Sequence, residues 1–515
     1  MSALVHGASR SLLIALGALV LLPPLPAVAQ SVKGTRGQLT LEQRLEKRLE
    51  EQDARIKDLE RRLEAQPQRE EAKSGAAPAA VAQQQQEQQI KVLERRLEIQ
   101  QEDAKSAAAA APVVKATPTG FSIASSDGNY LIRLRGIIQA DDRYFFSNSA
   151  PPSASTFLLR RVRPIIEGTL GKIFDYRFVP DFGVGKSIIQ DAYVVGHFEP
   201  FFNVTAGKFK SPFGIERLQS AYDIRFAERA LPNNIVPNRD IGVQIGGDLF
   251  GGALSYAIAL QNGVPDGGSS DGNTTPDADN NNDKDVALRL FAQPFKSSDV
   301  FALRGLGLGI AAMQSHGVGS TTNTLLGTYK TPGQQTLFSY RTGASATFAD
   351  GERFRWSPQL YYYSGAFGLL GEFVGVSQGV TRTVGTTTRH DTLNHSSWQL
   401  QLGYVLTGED ESYKSPIPQR PYEKGSLGWG ALELVARYSE LKFDAGSFTG
   451  GANSFADPSV AIARASAWAA GLNWYLTQNT KVVLDYELTK FRGGAAAGRD
   501  RPDEKTLFSR LQISF

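Results

Sequence analysis

The 515-residue sequence contains no cysteine, which excludes a disulfide framework, a thiol nucleophile and Cys-ligated zinc or iron–sulfur centres. It has no strong excess of either charge: 55 Lys+Arg against 52 Asp+Glu give +3, too little for bulk nucleic-acid binding. Beyond residue 29 no run of 18 apolar residues occurs, so no helix of the mature chain can span a bilayer. If that chain enters a membrane, it must do so as a closed β-barrel, the other form that satisfies every backbone group in lipid. What is present is glycine (51 residues) and apolar side chains at 41%. The length admits about three globular domains or a single large all-β unit.

Residues 1–29 carry Arg10, an apolar run from Ser11 to Leu22, and the small-x-small tripeptide Ala27-Val28-Ala29. This is the pattern of a signal peptide cleaved after Ala29, since the run of about 12 residues is too short for roughly 30 Å of hydrocarbon and Pro23, Pro24 and Pro26 stop it. The mature chain is expected to be exported.

Residues 30–103 read as a coiled-coil arm with helices over 39–64 and 87–103. Leu45, Leu49, Gln52, Ile56, Leu59 and Leu63 follow alternating spacings of four and three, and the block IKDLERRLEAQ at 56–66 recurs as IKVLERRLEIQ at 90–100. Ile90, Leu93, Leu97 and Gln100 form the second seam, while Pro67, Gly75, Pro78 and the run Gln83–Gln86 interrupt the helix between the two. Such short seams need self-association to hold. An Ala-rich linker is expected over 104–119.

From residue 120 the period changes to two. In 130–145, Arg133, Arg135, Gln139, Asp141 and Arg143 share one face and Ile132, Leu134, Ile138 and Tyr144 the other. Gln399 and Gln401 oppose Trp398, Leu400 and Leu402, and Asp485 and Glu487 oppose Leu484, Tyr486 and Leu488. A soluble sandwich gives the same alternation. The last segment, LFSRLQISF, decides for the membrane, because a closing strand ending in Phe515 is a usual form of outer-membrane barrels. Candidate strands are 130–145, 156–169, 174–181, 188–198, 201–210, 239–249, 252–262, 284–294, 303–314, 353–363, 367–380, 396–408, 429–441, 461–476, 480–492 and 505–515. A seventeenth, 335–348, is assigned to loop because single-chain bacterial barrels have even strand numbers. The fold class is therefore all-β, a 16-stranded antiparallel transmembrane barrel over 120–515 behind the signal peptide and helical arm. With both termini periplasmic, 211–238, 263–283, 315–352 and 442–460 face outward, while 409–428 is a long periplasmic segment able to fold into the lumen.

LLRRVR (158–163), DAYV (191–194), GKFKSPFGIERLQS (207–220), ERALPNN (228–234), LTGEDESYK (406–414), ALELVARYS (431–439) and AAGLNWY (469–475) resemble the phosphate-selective porin O/P family over roughly 120–515. The resemblance implies a homotrimeric outer-membrane barrel whose third outer loop folds inward and whose Arg- and Lys-lined pore passes phosphate and similar anions.

Arginine suits such a pore because its planar fork binds oxyanions bidentately and stays charged. On the first two strands Arg133, Arg135, Arg143, Arg161 and Arg163 share the lumenal parity, whereas Arg160 has the opposite parity and is expected at the upper rim. The third loop and its flanks add Lys208, Lys210, Arg217, Arg225, Arg229 and Arg239, with Glu216, Asp223, Glu228 and Asp240 among them. The segment 315–337, where phosphate-selective members carry further arginines, offers only Lys330 and His316. Of the charges, 17 Lys+Arg and 15 Asp+Glu precede residue 120, leaving 38 against 37 in the barrel, so a general anion preference follows more directly than strict phosphate specificity.

No cofactor, metal or catalytic residue is expected. The Asp277–Asp285 run imitates a calcium loop but has Asn282 and Leu288 where Gly and Glu are required, and His390 and His395 have no third ligand near in sequence. A barrel hydrolase would need a Ser–His pair on one wall, and only His197 falls on a candidate strand, at its periplasmic end. The expected partners are small anions, outer-membrane lipid, two further copies of the chain and, through the arm, the cell wall. A low-selectivity porin and a barrel that tethers the outer membrane to the cell wall are the alternative readings.

Overall fold

In a computed structural model of the chain, residues 50, 53–58, 60–62, 76–146, 154–270 and 283–515 are described. They fall into two units, one within Met1–Ala108 and one from Ala109 to Phe515. The expected signal peptide, the expected helix breakers Pro67 and Gly75, and most of the first expected coil lie outside the described residues, although 53–58 and 60–62 are helical.

In the first unit one helix, Ala76–Ala110, runs through Pro78, the glutamine run and the alanine stretch. It is longer at both ends than the 87–103 read from the heptads. Pro78 falls in the first turn, where the missing N–H has no intrahelical acceptor, and Gln and Ala are good helix formers. The helix stops before Pro112, whose ring disfavours helical backbone at the preceding residue.

The second unit is a closed antiparallel barrel of sixteen strands: β3 (Tyr130–Phe145), β4 (Thr156–Leu170), β5 (Phe174–Asp181), β6 (Ile188–Glu199), β7 (Phe202–Lys210), β8 (Arg239–Leu249), β9 (Leu254–Gln261), β10 (Asp285–Ala292), β11 (Leu306–Val318), β14 (Phe348–Ser364), β15 (Phe367–Val384), β16 (Thr387–Val405), β17 (Ala431–Lys442), β18 (Ile462–Tyr475), β19 (Thr480–Gly493) and β20 (Glu504–Ser514). Each pairs with its sequence neighbour, and β20 closes on β3 from Thr506↔Phe145 to Ser514↔Ile137. Closure leaves no open edge in lipid, where each unpaired backbone group costs several kcal/mol. All sixteen segments read from the alternation are barrel strands. The rejected segment 335–348 holds instead β13 (Thr336–Ser339), which pairs only with β12 (Thr328–Lys330) within an outer loop.

The alternation sorts the faces. Trp398, Leu400, Leu402 and Tyr404 are exposed outward, while Gln399, Gln401 and Gly403 between them are buried inward. Around the barrel Leu134, Ile138, Leu159, Ile245, Leu260, Leu288, Ile310, Trp356, Leu434, Trp468, Leu484 and Leu511 continue the outward apolar band.

A hairpin precedes the barrel, β1 (Val113–Thr117) with β2 (Gly120–Ala124), where the sequence reads as linker. Val113, Val114 and Thr117 favour extended backbone, and Gly120 takes φ +116° at the turn. β2 pairs with β3 from Phe121↔Leu134 to Ala124↔Leu131, so it covers the part of the β3 edge that β20 does not reach. The chain terminus marks the junction. Phe515 exchanges backbone hydrogen bonds of 2.9 and 3.0 Å with Gly136, and its ring lies where a Cβ at Gly136 would come within 2.6 Å. The Phe121 ring meets it edge-on at 6.3 Å, and Asn479 Nδ2 donates to the carbonyls of Pro118 and Ser514.

Inside the outer half, β12–β13 and loop 443–461 bury Tyr329, Leu337, Phe338, Phe443 and Phe455 against Val376, Leu393 and Leu441 of the β15–β17 wall. This apolar mass fills one side of the mouth.

Candidate functional site

Loop 211–238 leaves β7, crosses the lumen and returns to β8, and its residues are largely buried. Polar contacts with strands around the barrel hold it. On β3 and β4, Glu228 accepts from Arg143 at 2.7 Å and from both Nε and Nη2 of Arg160 at 2.5 and 3.0 Å. On β15, Glu372 accepts from the Ile215 N–H at 3.0 Å; on β19, next to β20, Asp485 accepts from the Ala227 N–H at 2.6 Å and Lys481 donates to the Ile224 carbonyl at 2.8 Å. Arg437 bonds the Glu228 carbonyl at 2.9 Å and pairs with Glu216 and Glu487. Burial alone would raise the Glu228 carboxyl, but the Arg160 and Arg143 charges outweigh it and hold the group below the ordinary carboxylate range.

The contact from Arg160 corrects the rim position expected by parity. Gln139 pairs with Arg161 and Ala140 with Leu159, so Arg160 is the extra residue of a β-bulge. The bulge resets the alternation and turns Arg160 as well as Arg161 into the lumen, while Phe157 and Leu159 stay outside.

Between the loop and the β3–β10 wall lies a cavity of about 440 Å³. Among the described residues its cations are Arg163, Arg177, Lys210, Arg239 and Arg289, and its only carboxylate is Asp191. Arg163 pairs with Asp181 at 2.8 Å, just outside the lining, and Arg239 forks onto Asp191 at 2.7 and 3.4 Å. Arg177 bridges Glu167 and, at 3.9 Å, Asp191. Lys210 donates to the carbonyls of Leu218 and Gln219 at 3.0 and 2.9 Å. Arg289 donates to Gln359 at 2.9 Å and stacks over Phe291 at 4.6 Å. Apolar side chains stand between the cations: Ile137, Ile165, Val179 and Val195 of the wall, Leu218 and Tyr222 of the loop.

Of the twelve cations singled out in the sequence, Arg163, Lys210 and Arg239 line this cavity. Arg133 and Arg135 lie at the inner end of β3, 3.7 and 3.2 Å from Glu167, and Arg143 and Arg160 are joined by Glu228 at the outer side. Arg161 is buried with Gln139 as its hydrogen-bond partner, and among the described residues no carboxylate stands within ion-pair distance of it. Lys208 is buried on β7. Arg217 and Arg229 brace the loop through the carbonyls of Asn233, Glu216 and Gln219. Burial, then the neighbouring Arg229 and Arg239 charges, push the Arg217 guanidinium down to about 9. Arg225 is enclosed at 2% exposure between Glu411 and Glu433, away from the cavity. Arg177 and Arg289, not singled out in the sequence, are single cations on short strands; the lumenal parity of each strand is the signal that finds them. At the mouth, the Lys330 ammonium is lowered by burial and by the nearby charges of Lys186, Arg160 and Arg143, so the outer loops add to the basic wall.

Guanidinium donors set around a cavity are groups that can replace part of an anion's hydration shell. Residues 132–515 match the family model for phosphate-selective porin O and P. No curated protein matches the chain. Among solved structures, the channel DcaP of Acinetobacter baumannii aligns over 75% of this chain and 98% of its own at 11% identity and a TM-score of 0.46. OmpT of Vibrio cholerae covers 75% and 98% at 10% identity and 0.45, and an anion-selective porin from Comamonas acidovorans 75% and 100% at 12% and 0.45.

Proposed function

The chain belongs to the phosphate-selective porin O and P family of outer-membrane barrels, and we propose from that premise that it passes small anions by diffusion along the basic side of loop 211–238. The observation that carries this reading is the lining of the cavity, five cations to one carboxylate in about 440 Å³. Phosphate is the candidate solute, because Arg163, Arg177, Arg239 and Arg289 offer the fork geometry that suits oxyanions. Three of those arginines share Asp181, Glu167 and Asp191, which favours a preference for anions in general over tight phosphate binding. The barrel works as a homotrimer in outer-membrane lipid. Residues 1–29 are its signal peptide, and the arm stands in the periplasm, where its seams associate and reach the cell wall. Chloride current through the purified protein in a planar bilayer, titrated with phosphate, tests the reading. Graded block by phosphate is expected, and current indifferent to phosphate would remove phosphate as the solute.

A further inference from the structure

The segment 406–430 joins β16 to β17 on the periplasmic side, and its residues 411–415 run inward beneath loop 211–238. Arg225 of the loop donates to Glu411, pairs with Glu433 at 2.7 Å, and bonds the carbonyls of Ser412 and Lys414 at 2.7 and 2.9 Å. The Ser415 N–H donates to Asp223 at 2.8 Å and its hydroxyl to the Tyr222 carbonyl at 3.1 Å. Gln219 donates to the Tyr413 carbonyl at 2.7 Å, and the Tyr413 hydroxyl donates to the Ile215 carbonyl.

The barrel wall has a socket for this segment. A Cβ at Gly403 would meet Glu411 Oε1 at 2.4 Å and Glu433 Oε1 at 2.9 Å, and a Cβ at Gly368 would meet the Glu411 carboxyl carbon at 3.1 Å. Two inward positions on adjacent strands thus lack side chains where the Glu411 carboxylate enters. The Glu411 N–H is held by the Gly365 carbonyl at 2.7 Å. On its other side the loop presents Leu218, Ser220, Ala221 and Tyr222 to the basic cavity. The segment therefore backs the stretch of loop that faces the passing ion.

We propose that residues 411–415 form a strap that fixes the inner wall of the passage from the periplasmic side and sets its aperture, with Arg225 and Glu411 as positioning residues. The inference rests on the passage being the conducting route. Ionic and hydrogen-bonding groups that touch no ion then decide how far Tyr222 and Leu218 stand from Arg163 and Arg239. An unstrapped loop still hangs from Glu228, Glu372 and Asp485, and Gln139 and Gln512 still hold the Ala221 and Tyr222 carbonyls at 3.1 Å from the wall, but its centre loses its support from the periplasmic side.

The test uses the full-length protein in planar bilayers, reading single-channel conductance, open-channel noise and the anion-to-cation permeability ratio. Arg225→Ala is expected to raise the noise about threefold and to lower the permeability ratio, with Arg225→Lys recovering part of both. Arg225→Ala leaves Glu411 and Glu433 without their cation, so Gly403→Ala, which keeps every charge and displaces Glu411, is measured beside it and is expected to act in the same direction. The chain has no cysteine, so Asp223→Cys with Ser415→Cys added to Arg225→Ala can form one defined cross-link. Oxidation should return the noise to the wild-type level and reduction should release it. Wild-type conductance, noise and selectivity in Arg225→Ala and Gly403→Ala, or noise untouched by the cross-link, overturns the strap. A wild-type protein that carries no anion current overturns the reading of the passage itself.

Discussion

Replacing Arg289 by Gln removes a cation from the passage without orphaning an acid, because among the described residues the guanidinium meets only Gln359 at 2.9 Å and the face of Phe291 at 4.6 Å. The lining falls from +4, five cations less one carboxylate, to +3. One unit charge about 4 Å from a monovalent ion is worth about 1 kcal/mol in water. An anion loses and a cation gains that amount, a difference of about 2 kcal/mol, so at about 1.4 kcal/mol per tenfold the permeability ratio moves by up to about thirtyfold. Salt screens this: the Debye length is about 10 Å at 0.1 M and about 3 Å at 1 M. The zero-current potential across a KCl gradient, measured near each of those concentrations, should therefore shift strongly towards cation selectivity at low salt and little at high salt. Arg289→Lys should stay close to wild type. A null shift at low salt would contradict a role for Arg289 in selection, and equal shifts at both concentrations would mean that it acts by occupying space.

Glu228→Gln leaves Arg143 and Arg160 without their shared carboxylate, and the half-blocking phosphate concentration for chloride current should fall several-fold; an unchanged value would mean that these arginines do not meet the ion. The same carboxylate bears on pH. Its folded value lies below the ordinary 4.5, so the anchoring it gives is complete above 4.5 and is lost only as pH falls through the lower folded value. Glu228 itself therefore adds no step in conductance between pH 7 and 4.5, so the pH profiles of wild type and Glu228→Gln should run parallel there, and a step present in the wild type but absent from the variant would contradict the lowered value. Phe515→Ala removes the ring that covers Gly136 and meets Phe121, but the ring is 39% exposed, so about 1–2 kcal/mol is expected, read as a lower temperature for the folded-to-unfolded band shift in electrophoresis. The apolar Ile137, Ile165, Val179 and Val195 between the cations should let benzoate compete with chloride at lower concentration than acetate does, and equal competition would mean that these side chains are not met.

The barrel was legible because a water-filled interior and a lipid exterior impose strict alternation on every strand, visible in Trp398–Tyr404 and in LFSRLQISF. The bulge at Arg160 was not, since an inserted residue leaves no mark in a parity count, and it moved that arginine from the expected rim to Glu228. Arg177 and Arg289 leave a weak signal because each is one charge on an eight-residue strand, whereas LLRRVR sets three arginines close together on β4. Arg225 sat among candidate pore cations by sequence proximity, but its partners Glu411 and Glu433 are about two hundred residues away and only the closed barrel brings them together. The β1–β2 hairpin was hidden because two five-residue strands become stable only by adding to the edge of β3.

The central claim is that the lumen prefers anions, and the zero-current potential of the wild-type protein in a planar bilayer under a KCl gradient tests it most directly. A potential of the sign set by chloride is expected at low salt, shrinking towards high salt. A potential set by potassium would mean that the paired arginines are neutralised by their carboxylates and that the basic cavity beside loop 211–238 is not the route.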